Sequence, residues 1–261
     1  MSTLVLGGTG KTGAPIVRGL RARGVETVAA SRSGDRRFDW QDESTWEAAL
    51  AGVERLYAIS PLGEERPQDR MIAFFRQALA AGTRRIVLLS SSAVNEDGPV
   101  LGEVDRWMRA NVPEWTVLRP SWFMQNFFTP GHFEREAIVN EGRIVSATGK
   151  GKVPFVDAED IAAVAVAALA DDEPHQTAHL ITGPEALAYD DVARILGVRH
   201  DALSPEDFVR FLVASGMNES YAKVMAWLDG LIGKGEQSTV SDTVLRITGR
   251  PPRSFANLAR G

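Results

Sequence analysis

Cysteine is absent from the 261 residues of this sequence. Disulfide bonds, thiolate nucleophiles and cysteine-ligated metal sites are therefore excluded. A basic surplus is also missing, because 29 lysines and arginines face 34 aspartates and glutamates and leave a net charge of -5. Since a nucleic-acid surface needs a basic excess or at least a basic stripe, we expect no nucleic-acid partner.

Long apolar runs are missing as well. None approaches the ~18 residues that a membrane helix needs, and the N-terminus enters a predicted strand too soon for a signal peptide. The composition, with 44% apolar and 24% charged residues, is typical of a soluble globular protein. We therefore expect a cytoplasmic enzyme or binding protein with a small-molecule partner and no membrane partner. The sequence leaves the oligomeric state open.

Motifs for metal binding and nucleophilic catalysis do not occur either. The four histidines, His132, His175, His179 and His200, lack the spacing of metal ligands. Neither H-E-x-x-H nor G-x-S-x-G is found. We therefore expect no metal site and no nucleophilic triad.

The stretch TLVLGGTGKTG, residues 3–13, is the most informative one present. Its apolar start predicts a buried parallel strand ending at Gly7, and apolar residues recur at helical spacing beyond Gly13. A helix that follows a glycine turn offers amide hydrogens and a positive dipole end to a pyrophosphate. We predict a dinucleotide-binding turn, with a ligand-free tight turn as the alternative. The predicted contacts are Gly7, Thr9, Gly10, Lys11, Thr12 and Gly13.

A second interpretation of the same residues is weaker. Gly10-Lys11-Thr12 resembles the end of the phosphate-binding loop of nucleotide triphosphatases. That loop needs another glycine five residues earlier, where this sequence has Val5 inside the predicted strand. No apolar strand ends in an aspartate suited to bind magnesium. The dinucleotide interpretation is therefore favoured.

The end of the next predicted strand, residues 26–30, should face the adenosine ribose of the cofactor. An acidic residue there would favour NAD(H), but a serine, an arginine and a serine follow, with Arg36 and Arg37 close behind. Hydroxyls and cations suit a 2′-phosphate, so NADP(H) is preferred, with NAD(H) or a merely solvated turn as alternatives. The predicted contacts are Ser31, Arg32 and Ser33.

Further short strands are predicted over residues 38–40, 55–59, 85–89 and 178–181, and another ends before residue 119. The carboxyl ends of parallel strands meet at one edge of a sheet, which is where dinucleotides bind. We therefore predict additional cofactor contacts at these ends. They are Asp39, Trp40, Ser60, Pro61, Leu62, Ser90, Ser91, Ser92, Pro120 and Ser121.

Four motifs in this order resemble the NmrA-like branch of the atypical short-chain dehydrogenase/reductases. They are GGTGKTG at 7–13, SSS at 90–92, LRPSWFMQNF at 118–127 and VPFVDAEDIA at 153–162. Within this branch the chain is similar to bacterial relatives of the ergot alkaloid (agroclavine and festuclavine) reductases. The resemblance spans nearly the whole chain, including TGRPP at 248–252.

The resemblance implies an α/β fold, in which a Rossmann-like doubly wound parallel sheet carries a smaller, mostly helical C-terminal substrate lobe. The expected NAD(P)-binding domain covers residues 1–150, with the segment 153–182 returning to it. The expected substrate lobe covers residues 183–261. The branch contains both reductases and regulators that bind the dinucleotide without turning it over, so it leaves activity open.

The acid of ordinary short-chain dehydrogenases, a tyrosine with a lysine four residues later, is missing from the helix where the family places it. That helix, predicted over 99–111, holds neither residue type. Glu103 is a candidate acid there, with a solvated or salt-bridged glutamate as the alternative. Without a positioned donor, a plain ketone is a poor substrate, whereas a quinone or an iminium needs no strong acid.

Aromatic residues follow the sixth strand and would suit a flat acceptor. A hydrophobic hinge between core and lobe is the alternative, and the catalytic group itself stays unassigned. The predicted substrate contacts are Trp122, Phe123, Met124, Asn126 and Phe127. Gln125 and Asn126 are polar handles and weak catalytic candidates.

The sequence thus predicts an NAD(P)H-dependent oxidoreductase that transfers hydride to a conjugated, polycyclic small molecule of secondary metabolism. The acceptor would be a quinone, an aromatic polyketide or an iminium. Two alternatives stay open. One is a redox-sensing regulator that binds NAD(P) without catalysis, and the other is the quinone-reducing component of an oxygen-dependent hydroxylation system.

Overall fold

A computed structural model of the chain describes residues 2–61, 64 and 66–260. The predicted cofactor contact Leu62 lies outside the described residues. The chain forms two compact units. The first comprises Met1–Pro120, Ala158–Ile181 and Thr243–Arg250, and the second comprises Ser121–Asp157, Thr182–Asp242 and Pro251–Gly261.

Strands and helices alternate along the chain. Its first half contains β1 (Ser2–Leu6), α1 (Gly13–Ala22), β2 (Thr27–Ser31), β3 (Arg36–Arg37), α2 (Trp46–Leu50), β4 (Val53–Ala58), α3 (Pro67–Ala80), β5 (Arg85–Leu89), α4 (Leu101–Asn111) and β6 (Glu114–Pro120). The remainder contains α5 (Phe133–Glu141), β7 (Arg143–Ser146), β8 (Lys152–Val153), α6 (Ala158–Ala170), β9 (Ala178–Ile181), β10 (Leu187–Ala188), α7 (Tyr189–Leu196), β11 (Arg199–Ala202), α8 (Pro205–Ala214), α9 (Glu219–Gly233), α10 (Thr243–Thr248) and α11 (Phe255–Leu258). Short 3-10 turns cover Glu43–Thr45 and Met124–Phe127.

The first unit is built on a parallel sheet with the strand order β3-β2-β1-β4-β5-β6-β9. Parallel neighbours need crossover connections, so the helices between them cover the faces of the sheet. The order steps outward from β1 in both directions, which is the doubly wound arrangement of a Rossmann-like α/β fold. The predicted fold class is confirmed.

The strands predicted over 85–89 and 178–181 coincide with β5 and β9, whereas the strand predicted over 38–40 is wrong. The third strand is β3, which pairs with the end of β2. The error comes from Phe38, an apolar residue that is only 5% exposed although it lies outside the strand. It packs into the core after the strand has ended, and its amide donates to the Ser31 carbonyl at 3.0 Å.

The core of the first unit follows from the two-residue period of its strands. Leu4 and Leu6 of β1 join Trp46 of α2 and Phe74 and Phe75 of α3 in one buried cluster. Burying each side chain of this size stabilises the fold by about 1.5–3 kcal/mol. In addition, α1 packs against α6, and α10 packs against α6 and β9.

The second unit combines the helices α5, α7, α8, α9 and α11 with two short strand pairs. β7 and β11 pair in parallel, and β8 and β10 pair antiparallel. One buried cluster groups the rings of Phe127, Phe155, Tyr189 and Phe255. A second cluster is centred on Phe208 of α8 and on α9.

These units divide the chain differently from the expected boundaries at residues 150 and 183. Residues 121–157 belong to the second unit, because Phe127 packs edge-on against Phe155 and Phe255 there. Residues 243–250 belong to the first unit, because α10 packs against α6 and β9. Apolar spacing predicts that a segment is buried but does not identify its packing partner.

Candidate functional site

The glycine turn between β1 and α1 is closed by contacts that exclude side chains. Gly7 has a φ of +64°, a conformation that residues with a Cβ rarely adopt. A Cβ on Gly13 would lie 2.1 Å from the Gly7 carbonyl oxygen. The Gly10 amide donates to that same oxygen at 2.8 Å. The turn therefore needs glycine for the chain to pass so close to itself.

This turn leaves amide groups that are not used by the protein. The Ala14 amide donates to the Gly10 carbonyl at 3.0 Å, and Pro15 has no amide hydrogen. The amides of Thr12 and Gly13 donate to no other residue that the structure describes. Amides at a helix N-terminus are suited to bind a phosphate oxygen.

The side chain of Thr12 turns away from these amides. Its hydroxyl accepts a hydrogen bond from the Tyr57 hydroxyl of β4 at 3.0 Å, and both residues are buried. Burial raises the pKa of Tyr57, so the phenol stays protonated. In a triphosphatase the corresponding hydroxyl binds magnesium, so this orientation also disfavours that interpretation.

A cleft of about 520 Å³ opens beside the turn, at the carboxyl ends of β1, β2 and β4. It brings together most of the predicted cofactor contacts of the first unit. These are Gly7, Thr9, Gly10, Ser31, Arg32, Ser33, Asp39, Trp40, Ser60 and Pro61. The sequence did not predict the other lining residues, which are Leu6, Phe38, Gln41 and Ile59.

The basic residues after β2 have different roles. Arg32 lines the cleft, is exposed, and forms no hydrogen bond or ion pair with another described residue. Arg36 donates to the carbonyl oxygens of Ala49 and Ala51, at 3.0 and 2.7 Å. Arg37 pairs with an aspartate, Asp42, at 3.3 Å. Arg36 and Arg37, which the sequence suggested as further cations for a phosphate, are thus bound elsewhere.

Asp35, the first acidic residue after β2, does not line the cleft. Its carboxylate accepts hydrogen bonds from the Ala29 amide at 3.1 Å and from the Arg21 guanidinium. These bonds, chiefly the one from the amide, hold the pKa of Asp35 below its ordinary value. This carboxylate is therefore already bound within the first unit.

The remaining predicted cofactor contacts lie outside the lining of this cleft. Ser90, Ser91, Ser92 and Pro120 follow β5 or end β6 in the first unit. The Ser92 amide donates to the Pro120 carbonyl at 2.9 Å, which ties these two strand ends together. Ser90 is buried, and its hydroxyl has no hydrogen-bond partner among the described residues. Lys11 is exposed in the glycine turn, and Ser121 is a buried residue of the second unit.

Helix α4 carries an ion network in place of a tyrosine and a lysine. The predicted candidate Glu103 is half-buried in its first turn and makes no hydrogen bond with another described residue. Asp105, which the sequence analysis missed, is 1% exposed. Its two oxygens accept hydrogen bonds from Arg109 at 2.6 Å and from Arg119 at 2.7 Å. Both oxygens of Asp105 are thus engaged by arginines of the first unit.

In the second unit the aromatic segment after β6 divides into buried and accessible residues. Met124 and Phe127 are 1% and 2% exposed and belong to the buried cluster around Phe155. Trp122 and Phe123 are half-buried and keep some accessible surface. Met124 and Phe127 therefore behave as core residues and present little surface to a ligand.

The two polar candidates of this segment also differ. Gln125 donates through Nε2 to Asp157 Oδ1 at 2.9 Å, and Arg253 approaches Asp157 Oδ2 at 3.5 Å. Asp157 is fully buried, so these partners compensate for the loss of water around its charge. Asn126 is half-buried, and its backbone amide donates to the Phe123 carbonyl at 3.2 Å.

Buried titratable groups occur deeper in the second unit. Burial raises the pKa of Asp229 to about 7, although a hydrogen bond from the Ala147 amide at 2.7 Å acts in the opposite direction. Tyr189 donates to Glu134 Oε1 at 3.3 Å. Burial, and then the carboxylates of Glu134 and Asp229, raise the pKa of Tyr189 well above its ordinary value.

A serine, a histidine and an aspartate of the second unit form a line of hydrogen bonds that the sequence did not predict. Ser146 Oγ is 2.8 Å from His200 Nε2, and His200 Nδ1 is 2.8 Å from Asp190 Oδ1. This is the order of a catalytic triad. Ser146, however, is 1% exposed and its hydroxyl also bonds Thr148 at 2.9 Å. The cluster therefore links β7, β11 and α7 but is closed to a substrate.

Two other histidines meet in the first unit. His175 Nδ1 lies 2.9 Å from His179 Nε2. Burial, assisted by the nearby charges of His175 and Arg246, lowers the pKa of His179 to about 4. Among the described residues, no group of three or more acidic or histidine side chains is placed to hold a metal ion. In that same part of the chain, none of the helices is both long and apolar enough to span a bilayer.

Comparison with known proteins agrees with this geometry. The model of the NAD(P)H-binding family matches residues 7–172. The chain is 42% identical to the uncharacterized oxidoreductase YesF of Bacillus subtilis, over 98% of this chain and 93% of that protein. It is 35% identical to agroclavine dehydrogenase of Claviceps fusiformis, over 98% of this chain and 96% of that protein.

Among solved structures, the fold is similar to that of Citrobacter sp. triphenylmethane reductase complexed with NADP(H). The TM-score is 0.82 at 23% identity, with 100% of this chain and 99% of that chain covered. The predictions of a nicotinamide dinucleotide as cofactor and of an oxidoreductase are confirmed by these matches. The chain therefore belongs to the NAD(P)H-binding family, as an oxidoreductase of the NmrA-like branch of the atypical short-chain dehydrogenase/reductases.

Proposed function

We propose that this protein is an NADPH-dependent reductase of a conjugated, planar small molecule, either a quinone, an aromatic polyketide or an iminium. Bound NADPH supplies the hydride. The chain binds and orients the two partners, and holding them in a reactive geometry can itself supply several kcal/mol of the barrier reduction.

The observation that carries the cofactor choice is the state of Arg32. Arg32 lines the cleft at the end of β2 and has no acidic partner among the described residues. The nearest acid in sequence, Asp35, is already bound to Arg21 and the Ala29 amide. A 2′-phosphate would give Arg32 a charge-assisted partner, whereas the 2′-hydroxyl of NAD(H) would not.

The choice of acceptor is supported by the absence of a tyrosine suited to act as the acid. None of Tyr57, Tyr189 and Tyr221 has a lysine four residues later. Tyr57 and Tyr189 are buried and have raised pKa values, so neither ionises readily. A quinone delocalises the incoming electrons, and an iminium loses its charge on accepting hydride. Neither therefore needs a strong acid from the protein.

For contacts with the acceptor we propose Trp122, Phe123 and Asn126, since these residues keep accessible surface. Met124 and Phe127 would act indirectly, by supporting the segment through the buried cluster. The agroclavine dehydrogenase similarity supports an acceptor of alkaloid size. Glu103 has no assigned role in this proposal.

The test is to mix the purified protein with NADPH or NADH and a panel of quinones and iminium salts. Loss of NADPH absorbance is followed, together with oxygen uptake. Faster oxidation of NADPH than of NADH, dependent on an acceptor, is the expected result. Tight NADPH binding without oxidation across the panel would replace this proposal with the redox-sensing regulator. Oxygen uptake that requires a quinone would favour the hydroxylation system.

A further inference from the structure

The glycine turn contains a threonine whose hydroxyl is used in an uncommon way. Thr12 stands directly before α1, where a threonine side chain usually accepts a hydrogen bond from the first turn of its own helix. Here it makes no such bond. Pro15 removes one potential donor, and the Ala14 amide is already bound to Gly10. The helix therefore gives the Thr12 hydroxyl no local partner.

The partner comes from the sheet instead. Tyr57 lies on β4, directly opposite Val5 of β1, and its ring is completely buried. Its hydroxyl donates to Thr12 Oγ1 at 3.0 Å, across 45 residues of sequence. A strand held on both sides by β1 and β5 is among the most rigid supports in the unit. The bond therefore joins Thr12 to the interior of the sheet.

We infer that Tyr57 is a positioning residue for the pyrophosphate of the cofactor, acting through Thr12. The inference depends on the proposed dinucleotide function. By holding the Thr12 hydroxyl against the sheet, Tyr57 fixes the direction of the Thr12 and Gly13 amides, which have no acceptor among the described residues. Tyr57 itself lies under the turn and does not line the cleft, so it is not a catalytic residue.

The size of the effect follows from the kind of bond. A neutral hydrogen bond between buried hydroxyls contributes about 1 kcal/mol, and two amides that lose their fixed direction bind an anion less well. Removal of the Tyr57 hydroxyl should therefore weaken pyrophosphate binding by roughly threefold to tenfold. Because the phenol has a raised pKa, the effect should be the same throughout the neutral pH range.

The experiment uses the full chain with Tyr57→Phe, which keeps the ring and removes only the hydroxyl. Calorimetric titration measures the Kd for NADPH, for ADP-ribose and for adenosine 2′-monophosphate, which has no pyrophosphate. We expect Tyr57→Phe to weaken NADPH and ADP-ribose by roughly threefold to tenfold and to leave adenosine 2′-monophosphate unchanged. Equal weakening of all three ligands, or of none, would overturn the inference.

Variants of Thr12 test whether the effect passes through this residue. Thr12→Ser keeps the hydroxyl and should bind NADPH more tightly than Thr12→Val, which should match Tyr57→Phe. The double variant should be no weaker than either single variant, because both remove the same bond. Independent, additive losses would contradict the inference. Failure of the unaltered protein to bind NADPH would instead refute the proposed function.

Discussion

The cleft beside the glycine turn of the first unit and the aromatic segment of the second were both predicted from residues that follow strands, yet they differ in the structure. In the cleft, predicted residues such as Arg32 and Ser60 line one cavity. In the aromatic segment, Met124 and Phe127 are almost completely buried and pack in a core. A motif at a strand end thus predicts the position of the backbone better than the surroundings of a side chain.

The physical reason is that the two regions depend on different parts of the chain. In the proposed function the glycine turn binds the cofactor through main-chain groups, and the doubly wound sheet fixes where those groups lie. The proposed contacts of the aromatic segment are side chains, and a phenylalanine suits a ligand pocket or a core equally well. The first region is therefore determined by local sequence, and the second by packing partners far away in the chain, such as Phe255.

The largest effect is expected where the backbone passes closest to itself. Gly13→Ala would place a Cβ 2.1 Å from the Gly7 carbonyl oxygen, and main-chain atoms cannot move aside cheaply. We expect NADPH binding to weaken by at least about a hundredfold, which corresponds to roughly 3 kcal/mol. Calorimetric titration of the variant measures this.

Gly230→Ala is the matched control, because a Cβ at that position in α9 meets nothing within 4 Å. Alanine is the better helix former by about 0.5–1 kcal/mol, so the control should be folded and at least as stable as the natural protein. If Gly13→Ala bound NADPH as tightly as Gly230→Ala, the turn would not be the cofactor site.

The next effect tests whether the buried half of the aromatic segment is core. Phe127→Ala should lower the free energy of unfolding by about 3–5 kcal/mol. Phe127 packs against Phe155 and Phe255, and its removal leaves a cavity between them. Phe123→Ala, at a half-buried position, should cost about 1 kcal/mol or less and raise the KM for the acceptor. Urea unfolding and steady-state kinetics measure the two effects. Equal losses of stability in Phe127→Ala and Phe123→Ala would contradict the distinction between a buried and an accessible part of the segment.

These contrasts show how far the sequence predicts the molecule. Strands β5 and β9 follow from their apolar residues, and the glycine spacing predicts the turn. The third strand was misplaced because the apolar residue Phe38 packs into the core and does not belong to a strand. The grouping of 121–157 and 243–250 into compact units depends on contacts between segments distant in sequence.

The least predictable features are hydrogen-bonded pairs of polar side chains in which at least one partner is buried. Tyr57 with Thr12, and Gln125 with Asp157, each join residues more than thirty positions apart. A tyrosine between the apolar residues Leu56 and Ala58 of β4 is the one available signal for the first pair, since a buried hydroxyl needs a partner. The sequence predicts that the Tyr57 hydroxyl has a hydrogen-bond partner but does not identify the partner.

A smaller effect separates the cations that follow β2. Arg32→Ala should weaken NADPH by roughly tenfold to a hundredfold while changing NADH little, because only NADPH carries a 2′-phosphate. Arg37→Ala is the control, since Arg37 pairs with Asp42 and does not line the cleft. Titration of both cofactors gives the ratio of affinities. Equal losses for NADPH and NADH in Arg32→Ala would contradict the NADP(H) preference.

The smallest effect is the change of stability with pH that one buried group causes in each unit. The sign of this change is opposite in the two units. Asp229 of the second unit has a pKa raised from 3.8 to about 7. Above 3.8 the unfolded chain ionises this carboxyl and the folded chain does not, so its contribution to stability falls as pH rises toward 7. Asp229→Asn cannot ionise, and its side-chain oxygen can still accept from the Ala147 amide. The variant should therefore gain roughly 1–3 kcal/mol over the natural protein between pH 4 and pH 8.

His179 of the first unit has the reverse shift, from 6.5 down to about 4. Below pH 6.5 this histidine is protonated in the unfolded chain but stays neutral in the folded chain. The free energy of unfolding therefore falls as the pH falls toward 4. His179→Gln cannot titrate, so relative to the natural protein it should gain roughly 1–2 kcal/mol between pH 8 and pH 5. Urea unfolding at each pH measures both variants, and the change with pH separates the titration from any constant cost of the substitution. A pH response of the same sign in both variants would mean that burial does not control these two groups.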